Sequence, residues 1–131
     1  MNKPILYLIR GLPGSGKSTM AQLLCNKYGG EIVEADHWFM ENGRYNFNPS
    51  ELPKAHSMCK LRTEHVLRNG INVFVANTFT TLSEIDPYFD IASEIKVKTV
   101  VIECKGNFGS VHNVPQETIE KMRLRWEHLM P

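Results

Sequence analysis

The sequence predicts an α/β fold, a parallel sheet wrapped by helices, and three observations carry that prediction. Apolar, strand-like runs alternate along the chain with stretches of helical periodicity. A glycine-rich turn, Gly11-Leu12-Pro13-Gly14-Ser15-Gly16-Lys17-Ser18, stands between the first such run and the first helical stretch. The run Ile71 to Ala76 has little polar interruption, as expected of a strand buried on both faces. With 131 residues, 42% hydrophobic and 22% charged, the composition is that of one globular domain over residues 1–131.

The first strand is expected from Pro4 to Arg10. After the glycine turn, Met20, Leu23, Leu24 and Tyr28 recur at helical spacing, and Gly29-Gly30 stops that helix. Glu31 to Glu34 reads as a second strand that runs into Ala35-Asp36. Asn42-Gly43-Arg44 and Asn46 to Ser50 are rich in turn formers, which predicts a loop. A helix follows from near Ser50, with Glu51 and Pro53 in its first turn, and ends at Asn69-Gly70. Its apolar stripe is Leu52, Ala55, Cys59 and Val66. Arg62 falls on the same stripe, where it either reaches a phosphate or carboxylate or extends to solvent from the stripe's edge. The third strand, Ile71 to Ala76, carries Asn77-Thr78 at its C-terminal end. Ser83 is placed to cap a helix over Glu84 to Ser93, and Val97 to Cys104 makes a fourth strand. Lys105 to Pro115 is a polar, glycine-bearing connector. Ile119, Met122, Trp126 and Leu129 then share one helical face, which predicts a terminal helix packed on the domain.

Composition sets limits on function. The net charge of +1 argues against a sequence-independent grip on nucleic acid through bulk electrostatics. No apolar run approaches the roughly 20 residues of a membrane span, and the first residues lack the pattern of a signal peptide, so a cytoplasmic setting without membrane attachment is expected. The three cysteines, Cys25, Cys59 and Cys104, are widely spaced and fit small core positions better than a disulfide framework or zinc knuckle. His56, Cys59 and His65 do not make a metal site, because the two histidines point to opposite sides of one helix.

The glycine turn fits G-x-x-x-x-G-K-[ST], the Walker A pattern, in its required setting between strand and helix. Its glycines let backbone N–H groups turn inward toward phosphate oxygens, Lys17 supplies a mobile positive charge, and the Ser18 hydroxyl is a Mg²⁺ ligand. Gly11, Pro13, Gly14, Ser15, Gly16, Lys17, Ser18 and Thr19 are therefore the expected contacts of a nucleoside triphosphate, with ATP and Mg²⁺ as the cofactors. Ligands of open parallel sheets bind beyond the carboxyl ends of the strands. Asp36, Asn77, Thr78 and Lys105 fall at such ends. A carboxylate at Asp36 can orient an acceptor hydroxyl and take its proton, although aspartate also serves simply to turn a chain. The strand Val73 to Ala76 ends in Asn77, where a Walker B pattern would carry aspartate. Ser18, phosphate oxygens and water then make the cation's shell, which Asp36 could join through water. Trp38 and Phe39 serve either as core and cleft-wall residues or as a stacking surface for a base.

These residues together resemble the polynucleotide-kinase-like P-loop kinases, which include the kinase domain of phage polynucleotide kinase and the NEDD4-binding protein 2-like proteins. The resemblance rests on Gly11 to Ser18, Ala35-Asp36-His37, Tyr45-x-Phe47-x-Pro49 with Leu52 and Ala55-His56, and Asn77-Thr78. It continues through Pro87-Tyr88, His112-Asn113-Val114-Pro115, Met122 and Arg125-Trp126-Glu127. It implies an adenylate-kinase-like P-loop NTPase fold with about four to five parallel strands and a short lid before the last helix. It also implies transfer of the ATP γ-phosphate to the 5′-hydroxyl of a polynucleotide, with Asp36 as general base, Lys17 as catalytic phosphate ligand and Ser18 on Mg²⁺. The chain departs from the pattern in two places. Lys105 stands where one lid arginine is expected but the next such position is Gly109, and the arginine three residues after the catalytic aspartate is Phe39. Arg44, Arg123 or Arg125 could supply the missing charge, and Arg44, Asn77 and Thr78 are the acceptor-side candidates. A small-molecule or nucleoside kinase, and a non-catalytic ATP-binding module, are the competing readings.

Overall fold

The computed structural model describes residues 3–109 and 114–129. In chain order its elements are β1 (Ile5–Gly11), α1 (Lys17–Tyr28), β2 (Glu31–Val33), a 3-10 turn at Ala35–Phe39, β3 (Met40–Glu41) and β4 (Arg44–Tyr45). A second 3-10 turn at Pro49–Glu51 leads to α2 (Leu52–Arg68), β5 (Val73–Asn77), α3 (Leu82–Ile95), β6 (Lys98–Cys104) and α4 (Gln116–Leu124). Four strands form one parallel sheet in the order β2-β5-β1-β6. β1, which feeds the glycine turn, is therefore a central strand, flanked by β5 and β6.

Alternation along the strands sorts the core into two layers. Leu6 and Leu8 of β1 and Val73 and Val75 of β5 meet Cys59, Val66 and Leu67 of α2 and Ile85, Tyr88 and Ala92 of α3. On the other face Tyr7, Ile9, Phe74 and Ala76 meet Ala21 of α1. Every residue of β5 is buried, as the run with little polar interruption predicts, although the strand starts at Val73 and Ile71 before it is exposed. Each fully buried Leu, Ile or Val contributes roughly 1.5–3 kcal/mol, so the two layers fix the sheet against its helices. Cys59 is buried, whereas Cys25 and Cys104 are half-buried against the second layer. No helix is long and apolar enough to cross a membrane among the described residues.

Three local expectations are corrected. The stretch expected as loop after Gly43 opens with the returning strand of a small hairpin, in which Met40 faces Tyr45 and Glu41 faces Arg44. Asn42 (φ 52°) and Gly43 (φ 77°) form its two-residue turn, with the positive φ at both positions that matches strand twist. The cap of α3 is Thr81 and not Ser83: its side chain and that of Glu84 satisfy each other's backbone N–H groups in a capping box. Arg62, by contrast, extends to solvent from the stripe's edge, one of the two places expected for it, and pairs bidentately with Glu31.

The terminal helix stops at Leu124, so Trp126 and Leu129 lie beyond it, and α4 itself buries no residue. Docking falls instead to the segment after it. Arg10, fully buried at the end of β1, donates to the Phe79 carbonyl at 2.6 and 3.2 Å and to the Glu127 carbonyl at 2.8 Å. Its guanidinium lies 4.0 Å from the centre of the Trp126 ring. Glu127 N–H donates to the Thr80 carbonyl at 2.7 Å, Leu82 N–H donates to the Glu127 carboxylate at 2.7 Å, and Arg125 Nε donates to Thr80 Oγ1 at 3.1 Å. Leu129 packs on the first core layer.

Candidate nucleotide and acceptor site

The glycine turn is shaped by steric necessity. A Cβ on Gly11 would collide with Ser15 Oγ and the Cys104 carbonyl, so only glycine lets β1 end there. Gly16 adopts φ 98° and takes the N-cap position of α1, where no side chain caps the helix. The first-turn amides of a 12-residue helix are thereby left facing outward with the positive end of its dipole, the arrangement that binds phosphate. Lys17 Nζ folds back to the Leu12 carbonyl at 3.0 Å, across the mouth of the turn. Burial pulls its ammonium pKa below the usual value, while the negative charges of Asp36, Cys104 and Glu34 act in the opposite direction. Uncapped amides beside a lysine and the Ser18 hydroxyl suit a nucleoside triphosphate with its Mg²⁺.

The connector after β6 lies against this turn. Gly106 N–H donates to the Ser15 carbonyl at 3.2 Å and Phe108 N–H to the Gly14 carbonyl at 2.8 Å. The Phe108 ring lies over Gly16 yet is 80% exposed. Lys105 is exposed and 3.7 Å from Glu103. His112 and Asn113 of the family pattern lie outside the described residues.

Opposite the turn stands the end of β2. The chain leaves Val33 through Glu34 into the 3-10 turn, closed by His37 N–H donating to the Glu34 carbonyl at 3.1 Å. Asp36 is exposed on that turn, accepts from Tyr45 Oη at 3.2 Å, and is close enough for its charge to act on Lys17. Burial, reinforced by the Asp36 charge and hydrogen bond, pushes the Tyr45 phenol up to about 12. Glu34 accepts from Ser18 Oγ at 2.7 Å through Oε1, and its Oε2 lies 3.1 Å from His37 Nε2. Burial works against its charge, but the hydrogen bonds from His37 and Ser18 and the charges of His37 and Lys17 hold its carboxyl below the usual range. The Glu34 hydrogen bond in turn raises the His37 pKa against the effect of burial.

The acceptor-side candidates divide. Asn77 is a correction: it is buried, its Oδ1 accepts from Ala35 N–H at 2.8 Å and its Nδ2 meets Cys59 Sγ at 3.5 Å. Its side chain holds the 3-10 turn in place and is not available to an acceptor. Thr78 is half-buried, and its carbonyl accepts from Gly11 N–H at 3.3 Å. Arg44 is exposed on β4. Arg123 lies 3.6 Å from Glu120 and Arg125 binds Thr80, so neither faces the glycine turn through these contacts. Phe39 is a core residue, packed with Tyr45 and Phe47, while Trp38 is exposed and donates to Glu51 at 3.3 Å. No group of three or more His, Cys, Asp and Glu side chains placed to hold a metal ion occurs among the described residues.

Sequence reasoning assigned no role to Glu34 or Phe108. Glu34 is one of two carboxylates at the end of β2, and that spacing was the only signal available for it.

Comparison with known proteins agrees with this architecture. Residues 6–107 match the AAA domain family. Human NEDD4-binding protein 2 is 34% identical over 101 residues, which is 76% of this chain but 6% of that protein's length. Of solved structures, a chain of the Pnkp1/Rnl/Hen1 RNA repair complex superposes with a TM-score of 0.72 at 20% identity, covering 95% of this chain and 44% of that one. The Mycobacterium tuberculosis APS kinase CysC, in complex with AMPPNP and APS, gives 0.65 at 15% identity, covering 92% and 69%. The parallel sheet, the glycine turn between β1 and α1 and these matches lead to one conclusion: the chain belongs to the AAA domain family and has the P-loop kinase fold.

Proposed function

We propose that this domain, residues 1–131 acting as one unit, transfers the γ-phosphate of ATP to a hydroxyl acceptor, and that the acceptor is the 5′-hydroxyl of a polynucleotide. The observation that carries the reading is the opposition of Asp36 to Lys17 across the glycine turn, close enough for charge coupling. In the reaction the amides of Gly14 to Thr19 hold the phosphates and Lys17 moves from the Leu12 carbonyl onto the β- and γ-oxygens. Asp36 takes the proton of the acceptor hydroxyl as its oxygen attacks the γ-phosphorus, and the bond to the β-γ bridging oxygen breaks to release ADP. Ser18 would hold Mg²⁺, which when bound would supply positive charge to the polyphosphate. Lys105 approaches the nucleotide from the connector, and Thr78 and Arg44 remain the acceptor-side contacts.

Two likenesses support the polynucleotide over a small acceptor: the resemblance of the residues around Asp36 to the pattern of the polynucleotide-kinase-like kinases, and the fold shared with a chain of an RNA repair complex. Exposed Trp38 beside Asp36 adds a ring on which a base can stack. The test is phosphate transfer from labelled ATP to 5′-hydroxyl RNA, 5′-hydroxyl DNA and a nucleoside panel. Labelled oligonucleotide is the expected product. Transfer only to nucleosides would reassign the acceptor, and nucleotide binding without transfer to any of them would leave a nucleotide-binding module.

A further inference from the structure

P-loop NTPases commonly hold their cation between the P-loop Ser or Thr and an aspartate at the end of a neighbouring strand. In this chain the strand beside β1 that could supply it is β5, and β5 ends in Asn77. Asn77 is uncharged, buried, and held at both ends of its amide by Ala35 and Cys59. The place is thus occupied by a residue that cannot balance a divalent charge.

A carboxylate nevertheless reaches the Ser18 hydroxyl, from one strand further out. β2 lies beyond β5 in the sheet, and Glu34 is the first residue after β2. The Ser18 hydroxyl donates its proton to Glu34 Oε1 at 2.7 Å, which leaves the oxygen lone pairs for a cation and makes that oxygen a stronger ligand. His37 at 3.1 Å fixes the other carboxylate oxygen, and only 15% of the Glu34 side chain is exposed, so the group is held in place. Asp36, two residues on, is turned to Tyr45. The two carboxylates of this segment therefore face different partners.

We infer that Glu34 supplies the acidic partner of the Mg²⁺ site that β5 lacks, acting together with Ser18 on the cation of the bound nucleotide. The inference rests on the nucleotide-binding reading of the glycine turn, and its test separates the two. ADP affinity is measured by calorimetry in EDTA and in Mg²⁺, and Mn²⁺ binding to the ADP complex is followed by electron paramagnetic resonance. The wild-type domain binds ADP in EDTA and more tightly with Mg²⁺. Glu34→Ala and Glu34→Gln keep the EDTA affinity but weaken cation binding to the ADP complex by roughly 10- to 100-fold, the range for loss of such a partner. Glu34→Gln keeps the size of the side chain and an acceptor oxygen for Ser18, so it isolates the charge should the alanine variant fold poorly. A wild-type response to Mg²⁺ and Mn²⁺ in the glutamine variant overturns the Glu34 assignment alone, as does an ADP affinity in the wild type that ignores Mg²⁺. Absence of ADP binding by the wild type in both conditions overturns the nucleotide reading itself.

Discussion

The ends of β2 and β5 lie side by side in the sheet and have opposite characters. At the end of β5 the polar side chain is turned inward: Asn77 is buried and holds Ala35 N–H and Cys59. At the end of β2 two carboxylates, Glu34 and Asp36, stand beside the glycine turn, one bonded to Ser18 and the other to Tyr45. One strand end is scaffold and the other carries charge. The scaffold serves the charge directly, since the residue that Asn77 holds is the one immediately before Asp36. Neutrality at β5 and acidity at β2 are thus two halves of one arrangement.

The largest way to break the contrast is to remove the cation that faces the acidic side. Lys17→Ala should lower phosphate transfer by roughly 10²- to 10³-fold and weaken ATP binding, because a positioned charge on the transferred group is lost; steady-state kinetics with labelled ATP measures it. Next comes Asp36→Asn, which should lower turnover about 10²-fold or more while leaving ATP affinity near wild type, the pattern of a general base. A parallel loss of ATP affinity would place Asp36 on the nucleotide side instead.

Smaller effects sharpen the scaffold half. Asn77→Ala strands the buried Ala35 N–H and should destabilise the fold by about 1–3 kcal/mol in urea unfolding, with ADP affinity unchanged. Glu84→Gln, in the capping box that follows β5, should cost about 1 kcal/mol at neutral pH. Burial disfavours the Glu84 charge, but bonds from Thr81 and Thr80 and the charges of Arg125 and His56 hold its carboxyl below 4.5. A depressed folded-state value means that its stabilisation is complete above about pH 4.5 and is lost as the pH falls through the folded value. The wild type should accordingly lose stability more steeply than Glu84→Gln on acidification, measured as melting temperature against pH.

What the sequence disclosed follows the range of the interactions involved. β1, the glycine turn and α1 were readable because each is fixed within a few residues: apolar alternation, glycine sterics and a glycine stop. The capping box was also local, since Thr81 and Glu84 stand three apart, although Ser83 drew the expectation two residues late. The hairpin turn at Asn42-Gly43 was visible, but its strands are two residues each, too short to show a period. Contacts between distant residues were hidden. Ser18 meets Glu34 across 16 positions and Asn77 meets Ala35 across 42, and neither pair leaves a pattern in a single sequence. The C-terminal helix was extended too far because Trp126 and Leu129 happen to continue its spacing. There the backbone is diverted by Thr80 and Arg10, whose bonds to Glu127 replace the ones that another helical turn would make.

Arg10 joins the floor of the molecule to its final residues, and that bond has a mechanical corollary. The strap on Gly14 and Ser15 comes before α4 and the rivet at Trp126 after it, while α4 itself buries no residue. Loss of the C-terminal attachment would leave the buried Arg10 guanidinium without the Glu127 carbonyl and the Trp126 ring, and that cost keeps the segment seated.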